Sequence, residues 1–159
     1  MFRRMRRDKQ LLSGEETVAV LDRCSHGVLA CLGDDGYPYA VPVNYVYWRD
    51  RIYFHCAKSG HKIDAIINHP KVSFAIIDED TIVSHEYTSY YRSVIAFGQA
   101  RFAVGEEWKE AFWALVEKYS GDQPQEAKEM EITGCTRSHI VAIDVEHLTG
   151  KVAKGYVSG

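Results

Sequence analysis

Six short runs rich in Val, Ile, Tyr and Trp, spaced by turn signals and joined mostly as hairpins, predict a mainly β protein: a six-stranded antiparallel barrel. Only three segments carry helical periodicity, so a few helices are expected to cover the barrel. With 159 residues, the chain fits one domain, residues 1–159, large enough to bury a core.

The first helix is predicted over 14–24, because Ser13 and Glu16 have the spacing of a capping box and Val18, Val20 and Leu21 follow. Three strands come next, at 27–32 (GVLACL), 39–48 (YAVPVNYVYW) and 51–57 (RIYFHCA), with turns at Asp34-Asp35-Gly36 and Arg49-Asp50. Pro42 has no N–H to give a ladder, which places its neighbourhood at a sheet edge or bulge and leaves nearby backbone groups open to a ligand. Ile63, Ile66 and Ile67 then mark a helix over 60–69, with Ser59 as its expected N-cap and His69-Pro70 as its end. Residues 72–77 and 93–104 read as strands, with a bend or bulge at Gly98. The Tyr-rich HEYTSYYR between them gives no clear pattern.

A third helix follows Glu106 and Glu107, with Trp108, Phe112, Leu115 and Tyr119 on one apolar face and Gly121 at its end. Residues 121–137 are polar and read as a mobile linker, and 139–148 supplies the sixth strand, one face carrying Ile140, Ala142 and Asp144 and the other Val141, Ile143 and Val145.

A net charge of −3 with scattered cations argues against nucleic acid as a partner. The one basic cluster, in the arm at 1–12, reads as solvated, or as reaching a partner subunit or an anionic ligand. No apolar h-region follows it and no window approaches a membrane span, so a cytoplasmic protein with no membrane partner is expected. Cys24, Cys31, Cys56 and Cys135 lack any C-x-x-C pairing and read as reduced.

HCAKSGHK, residues 55–62, concentrates the chemistry. His55 and His61 match no common zinc spacing, and no metal is expected. A Cys56 nucleophile would need His55 as its base, yet adjacent strand residues point to opposite faces. An anion fits better, since a helix start presents free N–H groups with a partial positive charge behind them. Gly60 permits close approach, and His61 and Lys62 add donors.

These stretches resemble the pyridoxamine 5′-phosphate oxidase-like FMN-binding split barrels, and within them the 5-nitroimidazole-resistance proteins, over about residues 5–150. The most specific pieces are P-V-N-Y at 42–45, H-C-A-x-x-G-x-K at 55–62 and Y-x-S-V…G-x-A at 91–100. The resemblance implies a six-stranded split barrel that forms a homodimer, with FMN in clefts between the subunits. Val41, Pro42, Val43, Asn44 and Tyr45 would lie along the isoalloxazine; Ser59, Gly60, His61 and Lys62 would hold the phosphate; Arg92 and Ser93 would approach the cofactor. His55 would face the pocket as the catalytic residue, donating a proton or orienting the substrate, and an imidazole's ordinary pKa of about 6.5 suits that task. The implied activity is reduction of a small nitroaromatic or related acceptor. The same motifs would serve a non-catalytic flavin sensor or carrier, or a barrel that takes haem or a deazaflavin.

Overall fold

A computed structural model describes residues 2–135 and 138–153. Among the described residues, seven strands form one antiparallel sheet: β1 (His26–Leu32), β2 (Pro38–Asn44), β3 (Val46–Trp48), β4 (Arg51–Cys56), β5 (Lys71–Val83), β6 (Thr88–Phe102) and β7 (His139–Val152), in the order β2-β1-β5-β6-β7-β4-β3. The count differs from the expected six for a physical reason. The run 39–48 breaks at Tyr45: its first part pairs with β1 at one sheet edge, its second with β4 at the other. One continuous stretch thus serves both edges, and the sheet is rolled into a split barrel. Pro42 sits opposite Val28 in the edge strand β2, where its missing N–H costs little.

Four α-helices accompany the sheet among the described residues: α1 (Gly14–Arg23), α2 (His61–Asn68), α3 (Gly105–Ser120) and α4 (Gln125–Gly134). The capping box of α1 forms in full, with Ser13 accepting from the Glu16 N–H and Glu16 accepting from the Ser13 N–H. Helix α4 lies within the stretch read as a linker. Pro124 sets its start, and Glu, Ala, Lys and Met carry it forward. Residues 136–137 of that stretch lie outside the described residues. The Tyr-rich segment continues the β5–β6 hairpin, pairing Val83 with Thr88 and Asp80 with Tyr91. The predicted irregularity at Gly98 is a register shift between Phe97 and Gly98 of β6 in their pairing with β7, where a Cβ on Gly98 would collide with the Asp144 carbonyl oxygen.

Two cores explain the burial. Leu29, Phe54, Phe74, Ile76, Val94 and Val141 fill the barrel, and Tyr53, Ile140 and Ala142 pack outside it against Ala111, Phe112 and Leu115 of α3. Strands β4 and β7 lie between the two cores, so Ile140 to Ile143 are all buried and β7 has no solvent face there. The N-terminal arm is tied down toward both ends: the Leu12 N–H donates to the Gly150 carbonyl and Phe2 stacks on His147, while its arginines stay exposed.

Candidate functional site

The strand β4 resolves which way HCAKSGHK faces. Cys56 points into the barrel at 7% exposure, and burial pushes its thiol pKa up, as befits a packing residue. His55 points outward to solvent and meets the ring of Phe112 edge-on at 6.2 Å.

Ser59 does not cap α2. Gly60 takes the N-cap position with φ 128°, a conformation that excludes L side chains, and no side chain caps the helix. The N–H groups of Ile63 and Asp64 both return to the Gly60 carbonyl. Helix geometry then leaves the N–H groups of His61 and Lys62 as the open donors of the first turn, beside the exposed Ser59 hydroxyl. Nothing lies within 4 Å of where a Gly60 Cβ would sit, so that approach is clear. The His61 ring turns back onto the β1–β2 hairpin, stacked on Tyr39 at 4.1 Å with Nε2 3.9 Å from the Asp34 carboxylate. Lys62 is half-buried in the first turn of α2, and its charge opposes the rise in the Cys56 pKa.

Along β2, Val41 and Val43 turn inward against the core, while Ala40, Pro42 and Asn44 are exposed. These three span about 13 Å at the usual strand rise. The strip starts where α2 begins, beside Tyr39, and ends where Asn44 and His55 line a common cavity of about 560 Å³.

Tyr45 does not belong to this open strip. Its ring is fully buried, its hydroxyl donates to the Leu21 carbonyl at 2.8 Å, and its pKa is pushed far up by burial. Its backbone is occupied as well. The Tyr119 hydroxyl accepts from the Tyr45 N–H at 3.0 Å and donates toward the carbonyls of Tyr45, at 2.6 Å, and Ser25. Sequence reasoning placed Tyr119 on an apolar helix face, and nothing in a helical period announces that its hydroxyl clasps the break between β2 and β3. Nearby, Lys118 donates to the Cys24 carbonyl at 2.7 Å and lies 4.4 Å over the Tyr45 ring, and burial lowers its pKa.

Arg92 and Ser93 are not brought to the α2 start within one chain. Eight residues of β6, about 26 Å of strand, separate Arg92 from Ala100, whose N–H binds Pro70 just beyond α2. Arg92 instead pairs with Asp78 and Glu79, and Arg23 also holds Asp78. Among the described residues, no group of three or more His, Cys, Asp or Glu could hold a metal ion, and no helix is long and apolar enough to cross a membrane.

A rolled antiparallel sheet with an exposed strip on its edge strand β2, a helix start with open N–H donors at one end and a cavity lined by Asn44 and His55 at the other defines a split barrel. A family profile described as pyridoxamine 5′-phosphate oxidase matches residues 13–152, and the chain belongs to that family. No curated protein matches it. Among solved structures, a conserved hypothetical protein of Mycobacterium tuberculosis aligns with TM-score 0.81 and 22% identity, over 97% of this chain and 92% of that one. A Bacteroides thetaiotaomicron protein, for which 5-nitroimidazole antibiotic resistance has been suggested, aligns at 0.75 and 20%, over 89% and 86%. The FAD and haem binding protein of Mycobacterium smegmatis aligns at 0.73 and 18%, over 92% and 74%. At these identities the likeness is one of fold.

Proposed function

We propose that this protein is an FMN-dependent oxidoreductase that reduces a small nitroaromatic or related acceptor, and that it works as a homodimer with the cofactor between subunits. The observation that carries the reading is the exposed strip Ala40–Pro42–Asn44, which links the α2 donors to His55. The residues fit the cofactor: Ser59, the His61 and Lys62 N–H groups and the Lys62 ammonium suit a phosphate, and the edge of β2 suits a flat polar ring. When bound, FMN supplies the electron chemistry. The chain's part is to fix the phosphate, to lay the ring along β2, and to hold a proton on the His55 imidazole at the acceptor end. Arg92 and Ser93 would reach a cofactor only across a subunit boundary.

A single chain gives the strip one wall. The second wall in this reading is another copy, and the outer sheet face supports it. Val28, Ala75, Ile95 and Thr149 form one row across β1, β5, β6 and β7, flanked by Ile77 and Phe97. Val28, Ile77, Ile95 and Phe97 are exposed at 37, 67, 42 and 39%, an apolar patch of the kind that marks an interaction surface.

The visible spectrum of the purified protein tests the cofactor, since flavin, haem and deazaflavin absorb differently. Removing the Lys62 charge in Lys62→Ala should weaken FMN binding by about 1.5–3 kcal/mol, read by titration, and unchanged affinity rejects the cradle. His55→Gln should keep flavin content and lower turnover of a nitroimidazole with NAD(P)H. If the bound flavin is reduced by dithionite yet never turns over, the protein is a flavin carrier or sensor and the enzymatic reading fails.

A further inference from the structure

The cavity beside His55, which α3 and α4 also line, belongs to the site already described. A hollow of about 870 Å³ lined by Trp48 and Trp113 has glutamates that already hold Arg49 and Lys128. The basic N-terminal arm serves neither. It is pinned to β7 at two points: Phe2 stacks on His147 at 4.7 Å, and Leu11 bridges Lys151. Between the pins lies a hollow of about 420 Å³, lined among the described residues by Arg6, Arg7, Asp8, Lys9 and Gln10.

Residues 3–9 carry five cations and one acid, in a chain whose net charge is −3. That acid, Asp8, is taken by Arg4 at 3.1 Å, and Arg6, Arg7 and Lys9 make no ion pair among the described residues. Three cations held side by side on a pinned segment repel one another, and an anion among them relieves the repulsion. The remaining group in the lining is neutral. Gln10 is 4% exposed, and its Oε1 meets no hydrogen-bond partner. Water can serve an exposed arginine, whereas a buried amide oxygen without a partner lacks a donor. A ligand that serves both has an anionic end for the cations and a hydroxyl or amine beside it for Gln10. Two guanidinium forks and an ammonium match a doubly charged phosphate better than a carboxylate, which one guanidinium satisfies.

Twelve residues of β7, about 40 Å of strand, separate Lys151 at the arm from His139, which pairs with Cys56 at the strand end leading to α2. Within one chain the hollow is therefore apart from the proposed FMN phosphate cradle. A bilayer fits it less well than a free ligand, because Phe2 is already packed on His147 and Phe97 and leaves no free aromatic anchor. We propose that this hollow binds a free phosphate monoester bearing a hydroxyl or amino group, with Arg6, Arg7 and Lys9 holding the phosphate and Gln10 Oε1 accepting from the body of the ligand. The site does not rest on the flavin reading.

The test is calorimetric titration of the purified protein, in phosphate-free buffer, with sn-glycerol 3-phosphate, glycerol and inorganic phosphate. Glycerol 3-phosphate should bind at least ten-fold more tightly than inorganic phosphate, and glycerol should not bind. The double change Arg6→Gln and Arg7→Gln should weaken glycerol 3-phosphate binding at least ten-fold, while Arg3→Gln, outside the hollow, leaves it within two-fold. Gln10→Leu should bind the two phosphates equally and melt no lower than wild type, since an unpaired polar atom gives way to an apolar one. A glutamine with a structural role alone would lower Tm and spare the preference. Equal wild-type affinity for the two phosphates means an adventitious ion only and overturns the proposal; an equal loss in Arg3→Gln does so too, by assigning the binding to diffuse charge. Co-sedimentation with phosphatidylcholine vesicles carrying phosphatidic acid, without calorimetric binding of glycerol 3-phosphate, overturns it in favour of a lipid surface. Loss of flavin from the double arginine variant overturns it as well, because the arm would then serve the cofactor. A wild-type protein without flavin would refute the proposed function alone, and the titration would still decide the arm.

Discussion

Replacing Tyr119 by Phe removes one oxygen and isolates two backbone groups at once. The Tyr45 N–H and carbonyl both bond to that hydroxyl, while the Ser25 carbonyl keeps a donor in the Asn44 side chain at 2.9 Å. A buried polar group left without a partner costs about 1–3 kcal/mol, so two would cost at most roughly twice that. Tyr119 is 39% exposed, however, and water arriving along the ring edge can serve one of them. The net loss expected is about 1–3 kcal/mol, or roughly 2–4 °C of Tm per kcal/mol for a chain of this size. Urea unfolding followed by far-UV circular dichroism measures it: the midpoint should fall with the slope m unchanged. Because the clasp holds the point where β2 passes into β3, the strip ending at Asn44 should loosen too, and under the proposed function FMN affinity should fall with stability. A midpoint equal to wild type would show that the hydroxyl does not hold the strand break, and the argument for the clasp would collapse.

Gly33→Ala would set a methyl 2.8 Å from His61 Nε2 and 3.1 Å from the Tyr37 carbonyl oxygen. The ring must leave Tyr39, which should cost about 1–3 kcal/mol in thermal unfolding, and a variant as stable as wild type would mean that the ring moves freely. Asp78 gives the pH dependence. Its hydrogen bonds to Arg23, with Arg92 adding to them, hold its pKa below the ordinary carboxylate value of about 3.9. A depressed folded-state pKa contributes stability that is present above that value and lost as pH falls through the folded-state pKa. The urea midpoints of wild type and Asp78→Asn should therefore differ at pH 6 and converge toward pH 3; a gap that stays constant with pH would assign the effect to something other than the charge.

Local rules carried far in this chain because local physics decides those elements. Ser13 and Glu16 form their capping box whatever surrounds them, Pro42 keeps its strand at an edge, and Gly98 marks a bulge because a Cβ there meets Asp144. Elements decided by distant partners were less legible. Nothing between residues 39 and 48 says that the run must change partners at Tyr45; that follows from Tyr119, 74 residues away, and from the closure of the sheet. Ser59 looked like a cap by type, but Gly60 holds the position because the chain must turn out of β4 at a positive φ. Helix α4 was hidden by its polarity, as its apolar contribution to the core beside α3 comes mainly from its own Ile132 and the C-cap Cys135.

The same division runs through the site. His55 and Cys56 could be assigned to opposite faces from the strand period alone, but which faced the barrel depended on β7, whose Ile140 pairs with His55 and whose His139 pairs with Cys56. That register sends Cys56 into the barrel core and leaves His55 at the mouth of the cavity under α4. A slip of one residue would exchange the two, burying an imidazole in the core and exposing a thiol. The pairing of β4 with β7 therefore decides that the outward group in HCAKSGHK is an imidazole rather than a thiol. The residues that stabilise that pairing, Arg51 and Arg101 converging on Asp144, lie at the opposite end of β4 from His55 and Cys56, whose facing they help to fix.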